Sequence, residues 1–278
     1  MSPTSNFRKI LNRELHYTEW GNEEAPVAVL WHGFARTGRD MDDLAQQLAS
    51  RWRVICPDTI GRGYSQWSPL PESEYRADFY IALAGALLDE LGVEQCAWVG
   101  TSMGGKLGLV AAGGPLKGRI TRLVLNDIGP EGGAAVKDRI VQYIANPPTF
   151  ETFAEFEAYM RTIYKPYGWQ SDAQWRRMTE TSSRRLPDGK LTLHYDPKIV
   201  KELAEQGSEA QWDAWDNIDV PTLVLRGVDS DVLLPETAQA MTQRGPQARL
   251  VVIEGCGHAP ALNVPEQTNL IDAFLAEQ

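Results

Sequence analysis

The chain has 278 residues, 43% hydrophobic and 23% charged, the balance of an ordinary globular protein, which excludes a disordered or fibrous chain. Its formal charge of −10 works against nucleic acid as a partner, because binding a polyanion takes clustered Lys and Arg. The cysteines, Cys56, Cys96 and Cys256, lie far apart with no CxxC spacing, so neither a zinc site nor a disulfide framework is expected, and a reducing cytoplasm fits. The first residues, MSPTSNFRKILNRELHY, lack the apolar stretch of a signal peptide, and no run of about 18 apolar residues occurs. The expectation is a soluble, cytoplasmic protein with no membrane partner.

In chain order, residues 7–11 and 14–20 read as an antiparallel strand pair across Asn12 and Arg13. From there the rhythm changes. Residues 27–31 (VAVLW) form a short, nearly all-apolar strand, followed by HGFARTG and a helical pattern over 39–50 with Met41, Leu44 and Leu48 on one face. The unit recurs, with a brief strand at 54–56, the loop PDTIGRGYS, and an Ala/Leu-rich helix over 80–91 ending at Gly92. A strand at 96–99 precedes a helix over 103–113, and a strand at 123–125 ends in NDIGP. Further strands at 222–225 and 250–253 enclose a helix over 235–244, and a last helix spans 265–276. Short apolar strands alternating with helices predict an α/β fold with a mostly parallel sheet covered on both faces.

Between Pro130 and Asp219 the alternation stops. Helical patterns over 136–144, 150–164, 173–184 and 197–206, rich in aromatics and punctuated by Pro147, Pro148 and Pro187-Asp188-Gly189, predict an inserted helical cap over 131–218 on a core of 1–130 and 219–278.

The stretch VGTSMGG at 99–105 places Ser102 between Gly100 and Gly104, directly between a strand and a helix. A sharp strand-to-helix turn strains its central residue and crowds the side chains two positions to either side. Glycines relieve the crowding and lift the hydroxyl above the sheet edge. A serine hydroxyl needs a base to take its proton, and the base needs a third group to hold its tautomer. Of four histidines, His16 belongs to the N-terminal strand pair as a surface or pairing residue, His32 follows a strand where it orients the loop, and His194 lies in the cap. His258, in a Gly-bounded loop after the last strand, sits at the same sheet edge as Ser102. The acid is open among Asp229 and Asp231 in RGVDSDVLLPE and Asp127 in NDIGP.

Together HGF at 32–34, PDTIGRGYS at 57–65, GTSMGG at 100–105, RGVDSDVLLP at 226–235 and GCGHAP at 255–260 resemble the α/β-hydrolase fold family, with its order of nucleophile, acid and histidine. The resemblance covers 7–130 and 219–276. In that family the acid commonly sits four residues before a proline, as Asp231 does before Pro235, so the resemblance implies Asp231 as the acid and leaves Asp229 as a turn former. It also implies that the backbone N–H groups of Phe34 and Met103 form an oxyanion hole, with both side chains projecting toward substrate.

Other signals are weaker. GRG at 61–63 lacks the spacing of a nucleotide-binding loop, and no metal-ligand spacing occurs, so neither cofactor nor metal is expected. Lys106 falls one helical turn from Ser102, pointing elsewhere. Trp169, Trp175, Trp212 and Trp215 either line an acyl site or seal the cap against the core. Arg184 and Arg185 read as a solvated helix end, or as a clamp for a substrate carboxylate. The reading is a serine hydrolase of carboxylesterase type, cleaving an ester, thioester or related acyl bond of a small, largely apolar molecule. The alternative enzyme resembles the meta-cleavage product hydrolases, which cut carbon–carbon bonds, although Ala259 follows His258 and HAPALNVPEQ holds no Trp. Ser102 argues against dehalogenases and epoxide hydrolases, and the non-enzymatic alternative is a small-molecule receptor on the same fold.

Overall fold

The computed structural model describes residues 2–132, 141, 144–201 and 210–277. Ten strands form two sheets among these residues. β1 (Thr4–Ile10), β2 (Arg13–Trp20), β3 (Val27–Trp31), β4 (Arg53–Pro57), β5 (Cys96–Thr101), β6 (Ile120–Asn126), β9 (Thr222–Gly227) and β10 (Arg249–Ile253) make one sheet in the order β1-β2-β4-β3-β5-β6-β9-β10. β1 and β2 join antiparallel, and every pairing from β4 to β10 is parallel.

The predominantly apolar strands sit inside the sheet for a physical reason. Every residue of β3, β5 and β9 is buried, as strands covered on both faces must be. Alternate side chains go to opposite layers. Val29, Trp31 and Trp98 pack beneath α3 (Ala77–Glu90) and α4 (Met103–Ala112), with the rings of Trp31 and Trp98 stacked at 5.1 Å. Ala28, Leu30, Ala97 and Val99 face α1 (Asp42–Leu48) and the last helix, α9 (Pro265–Ala276). The helical pattern over 39–50 resolves into a 3₁₀ turn at Gly38–Met41 running into α1. A four-residue helix, α2 (Pro71–Glu74), precedes α3.

Between β6 and β9 the described residues form α5 (Phe153–Ile163) and α6 (Asp172–Thr181), each opened by a reciprocal capping box, Thr152 with Glu155 and Ser171 with Gln174. The helix expected over 173–184 stops at Thr181. Ser183–Arg185 is instead a strand, β7, paired antiparallel with β8 (Leu191–Leu193). The Pro187-Asp188-Gly189 signal is therefore the turn of a hairpin, not a break between helices. α7 (Trp212–Asp216) precedes β9, and α8 (Pro235–Met241) joins β9 to β10. Of the helix expected over 136–144, only Val141 and Ile144 are described, and of that over 197–206, Pro197–Ile199 is a 3₁₀ turn while 202–206 lie outside the described residues.

Candidate active site

The strand ends at one edge of the sheet carry the chemistry-bearing side chains. Ser102 stands between β5 and α4 with φ +51°, a left-handed conformation that costs a non-glycine residue strain. The neighbours must yield for it. A Cβ on Gly100 would lie 2.2 Å from the Gly104 carbonyl oxygen, and one on Gly104 would lie 2.3 Å from that of Trp31.

The Ser102 Oγ lies 2.8 Å from His258 Nε2, and His258 Nδ1 lies 2.8 Å from Asp127 Oδ2. With Asp127 accepting at Nδ1, the ring carries its proton there, and Nε2 is an acceptor for the serine hydroxyl. The structure thus seats Asp127 on His258, which corrects the expectation of Asp231. The reason is strand order. β6 runs beside β5, pairing Asn126 with Thr101, so the residue after β6 falls next to the residue after β5. Asp127 also takes a left-handed φ of +57° and is completely buried, whereas Asp231 is exposed on the rim of the adjoining cavity.

Three donors converge on the Asp127 carboxylate. The Gly227 N–H donates to Oδ1 at 2.9 Å, and the Ser230 hydroxyl donates to Oδ2 at 2.5 Å alongside the imidazole. Ser230 in turn accepts the N–H groups of Val232 and Leu233, and the buried Arg226 guanidinium donates to the carbonyls of Leu233, Val228 and Ser230. The loop RGVDSDVLLP therefore contributes to this site through the serine between its two aspartates. Sequence reasoning passed over Ser230 because a lone Ser carries no distinguishing pattern.

The loop after β3 lies on the other side of Ser102. His32 is fully buried, accepts the Thr59 N–H at Nε2 (3.0 Å) and donates from Nδ1 to the Gly33 carbonyl (2.6 Å). Burial pushes its pKa down to about 4, so it holds the loop as a neutral ring. Arg62, with no exposed surface, donates from Nε to the Phe34 carbonyl at 2.9 Å and brings Nη2 to 3.7 Å from Met103 Sδ. It thereby ties together the two residues whose N–H groups face Ser102's surroundings by the resemblance. Nothing in PDTIGRGYS signalled this role. Met103 opens α4, so its N–H has no acceptor within the helix. Phe34 lines the cavity, but the Met103 side chain is buried in the core, contrary to the expectation that both project toward substrate.

A cavity of about 790 Å³ opens over Ser102 and His258. Its floor includes Gly33 to Arg36, and its opposite wall is Thr162 to Tyr167, at the end of α5 and the turn after it. The Gly257 N–H, beside His258, donates to the Pro166 carbonyl at 2.7 Å and links wall to floor. Burial, aided by Asp127, Asp229 and Glu254, pushes the Cys256 thiol up to about 11, so this neighbour of His258 stays protonated. Among the described residues lining the cavity there is no Trp. Trp175 and Trp215 are buried in the core, and Arg161 lies over the Trp175 ring. Arg184 and Arg185 belong to β7, over the rings of Trp67 and Phe153, and are neither a helix end nor part of the cavity wall.

His16, expected at the surface or in pairing, pairs with Phe7 but is buried, with Asp58 at Nδ1 (2.7 Å) and Ser5 at Nε2 (2.8 Å). His194 lies edge-on to Tyr64, away from the cavity. Among the described residues no group of His, Cys, Asp or Glu could hold a metal ion, and no helix is long and apolar enough to cross a membrane.

The profile of the alpha/beta hydrolase family matches residues 28–269, from β3 into α9 and including Ser102, Asp127 and His258. The chain belongs to the alpha/beta hydrolase family. This alpha/beta hydrolase is 38% identical over 269 residues to the 3-hydroxybutyrate-oligomer hydrolase of Cupriavidus necator, covering 93% of this chain and 91% of that protein. It is 24% identical to Lipase 1 of Psychrobacter immobilis, covering 91% and 77%. Among solved structures, an alpha/beta hydrolase from Novosphingobium aromaticivorans superposes with a TM-score of 0.87 at 31% identity, covering 98% of each chain.

Proposed function

We propose that the protein is a serine hydrolase that cleaves the ester bonds of short hydroxy-acid oligomers through an acyl-enzyme. The observation that carries this reading is the unbroken run of hydrogen bonds from Ser102 Oγ through His258 to Asp127, 2.8 Å at each step. Ser102 attacks the ester carbonyl while His258 Nε2 takes its proton, and Asp127 steadies the imidazolium that forms. The N–H groups of Met103 and Phe34 receive the negative charge that develops on the carbonyl oxygen. Collapse of the tetrahedral species expels the alcohol, protonated by His258. A water molecule activated by the same imidazole then releases the acid and restores Ser102. The segment between β6 and β9 serves as a cap over the site, since Thr162 to Tyr167 form the wall facing Ser102. The substrate class is supported by the likeness to the 3-hydroxybutyrate-oligomer hydrolase along almost the whole of both chains.

The test is turnover of the linear 3-hydroxybutyrate dimer and of p-nitrophenyl butyrate, with fluorophosphonate labelling, in wild type and Ser102→Ala. The variant should lose both turnover and labelling while melting like wild type. Labelling that persists in Ser102→Ala would assign the nucleophile elsewhere.

A further inference from the structure

We propose that Asn126 is a positioning residue that holds the loop carrying His258 against the turn carrying Ser102, so that the proton path between them keeps its geometry. This rests on the serine-hydrolase reading above and adds to it a residue beyond Ser102, His258 and Asp127. In NDIGP only the aspartate had drawn attention.

Asn126 ends β6 and has no exposed surface. It touches the surroundings of all three members of the hydrogen-bonded run. Through the chain it is joined to Asp127, whose carboxylate accepts the imidazole Nδ1–H. Its carbonyl accepts the Ser102 N–H at 3.0 Å. Its side-chain Nδ2 donates to the Thr101 hydroxyl at 3.0 Å, one residue before the nucleophile, and to the Pro260 carbonyl at 2.8 Å, two residues after the base. A carbonyl oxygen can only accept, so the amide nitrogen and not its oxygen must face Pro260, and both amide hydrogens are used. Oδ1 is left buried with no hydrogen-bond partner. The hydrogen bonding of this side chain therefore lies in its two donations.

The loop needs such an anchor. β10 ends at Ile253 and α9 begins at Pro265, so His258 stands well inside the connection. On its N-terminal side the loop is held by other loops, with the Asp229 N–H donating to the Cys256 carbonyl and the Gly257 N–H donating to the Pro166 carbonyl. On its C-terminal side the Asn126 amide ties it directly to the sheet from which Ser102 and Asp127 also emerge. Removing Nδ2 leaves the buried Pro260 carbonyl without this donor, and an unmet buried acceptor favours movement of the loop toward water. A displacement of about 1 Å between reacting groups can cost about 100-fold in rate.

The experiment follows fluorophosphonate labelling, both its rate and its final stoichiometry, beside hydrolysis of p-nitrophenyl butyrate, in wild type and Asn126→Leu, which fills similar space without a donor. The labelling rate and kcat/KM should fall together by about 10- to 100-fold, while labelling still runs to full stoichiometry and the variant melts cooperatively above the assay temperature. Asn126→Ala makes the same comparison if the leucine variant does not fold. A merely structural role would instead lower the fraction of chains that label and leave the rate of the remainder as in wild type. That result, or a folded variant within about threefold of wild type in labelling rate, overturns the positioning role. Labelling that persists in Ser102→Ala would overturn the serine-hydrolase reading instead.

Discussion

Asp127→Asn separates the acid assigned by geometry from the one implied by resemblance. The wild-type carboxylate accepts the Gly227 N–H at Oδ1 and both the Ser230 hydroxyl and the imidazole Nδ1–H at Oδ2, with no exposure to water. An amide must put its oxygen on the Gly227 side, because two donors cannot face each other in a buried site. Its NH₂ then points at His258 and Ser230. The ring answers by accepting at Nδ1 and carrying its proton at Nε2, where it can no longer take the proton of Ser102. Such an inverted tautomer costs roughly 10⁴-fold in kcat, about 5 kcal/mol of barrier. Asp231→Asn, on the exposed rim, should remain within about threefold of wild type, as exposed polar substitutions usually do. The assay is steady-state hydrolysis of p-nitrophenyl butyrate by both variants, with thermal melting to confirm that each is folded. A larger loss from Asp231→Asn than from Asp127→Asn would refute the reasoning.

Two further outcomes follow from burial and packing. His32 has its pKa depressed by burial from 6.5 to about 4, so between those values the unfolded chain binds a proton that the native ring refuses. Stability should fall as pH drops through that window, by about 3 kcal/mol for this group. Urea unfolding of His32→Asn should show a lower stability at neutral pH and a shallower acid loss, with His194, also depressed by burial, and the partnered carboxylates Asp58 and Glu74, held low in the fold, contributing to the residual slope; curves parallel to wild type would contradict it. Gly104→Ala sets a Cβ 2.3 Å from the Trp31 carbonyl oxygen and 2.8 Å from that of His32, both rigid backbone. It should cost about 3 kcal/mol and lower the melting temperature by roughly 10 °C, and an unchanged melting curve would show that the turn relaxes freely.

The strands were legible because burial on both faces writes itself as a continuous apolar run, as in VAVLW, and the turn at Ser102 because only glycine fits beside it. Ser102 and His258 emerged as candidates from position alone, one after a strand and the other in a Gly-bounded loop. The choice between Asp127 and Asp231 was not legible, since it depends on β6 lying between β5 and β9, and lateral strand order leaves no local trace. Asn126, at the end of β6 and facing Thr101, hinted at it only once the pairing was known. The β7–β8 hairpin was hidden for another reason. Ser183 to Arg185 continues the helical rhythm of α6, and the cross-strand partner Leu191–Leu193 that overrides it lies beyond the turn. Arg62 was invisible because a buried arginine looks like any surface arginine until its surroundings are known.

The serine, imidazole and carboxylate each stand where a parallel strand gives out, anchored by backbone that its neighbours hold in register. The residues opposite come from a separate stretch of chain, tied across by contacts such as the bond from Gly257 to Pro166 and the ion pair of Arg177 with Asp43. The wall over Ser102 and the hydrogen-bonded run beneath it therefore rest on different parts of the chain. Side-chain replacements within Thr162 to Tyr167 should reshape the space over Ser102 while the bonds joining Ser102, His258 and Asp127 stay in place.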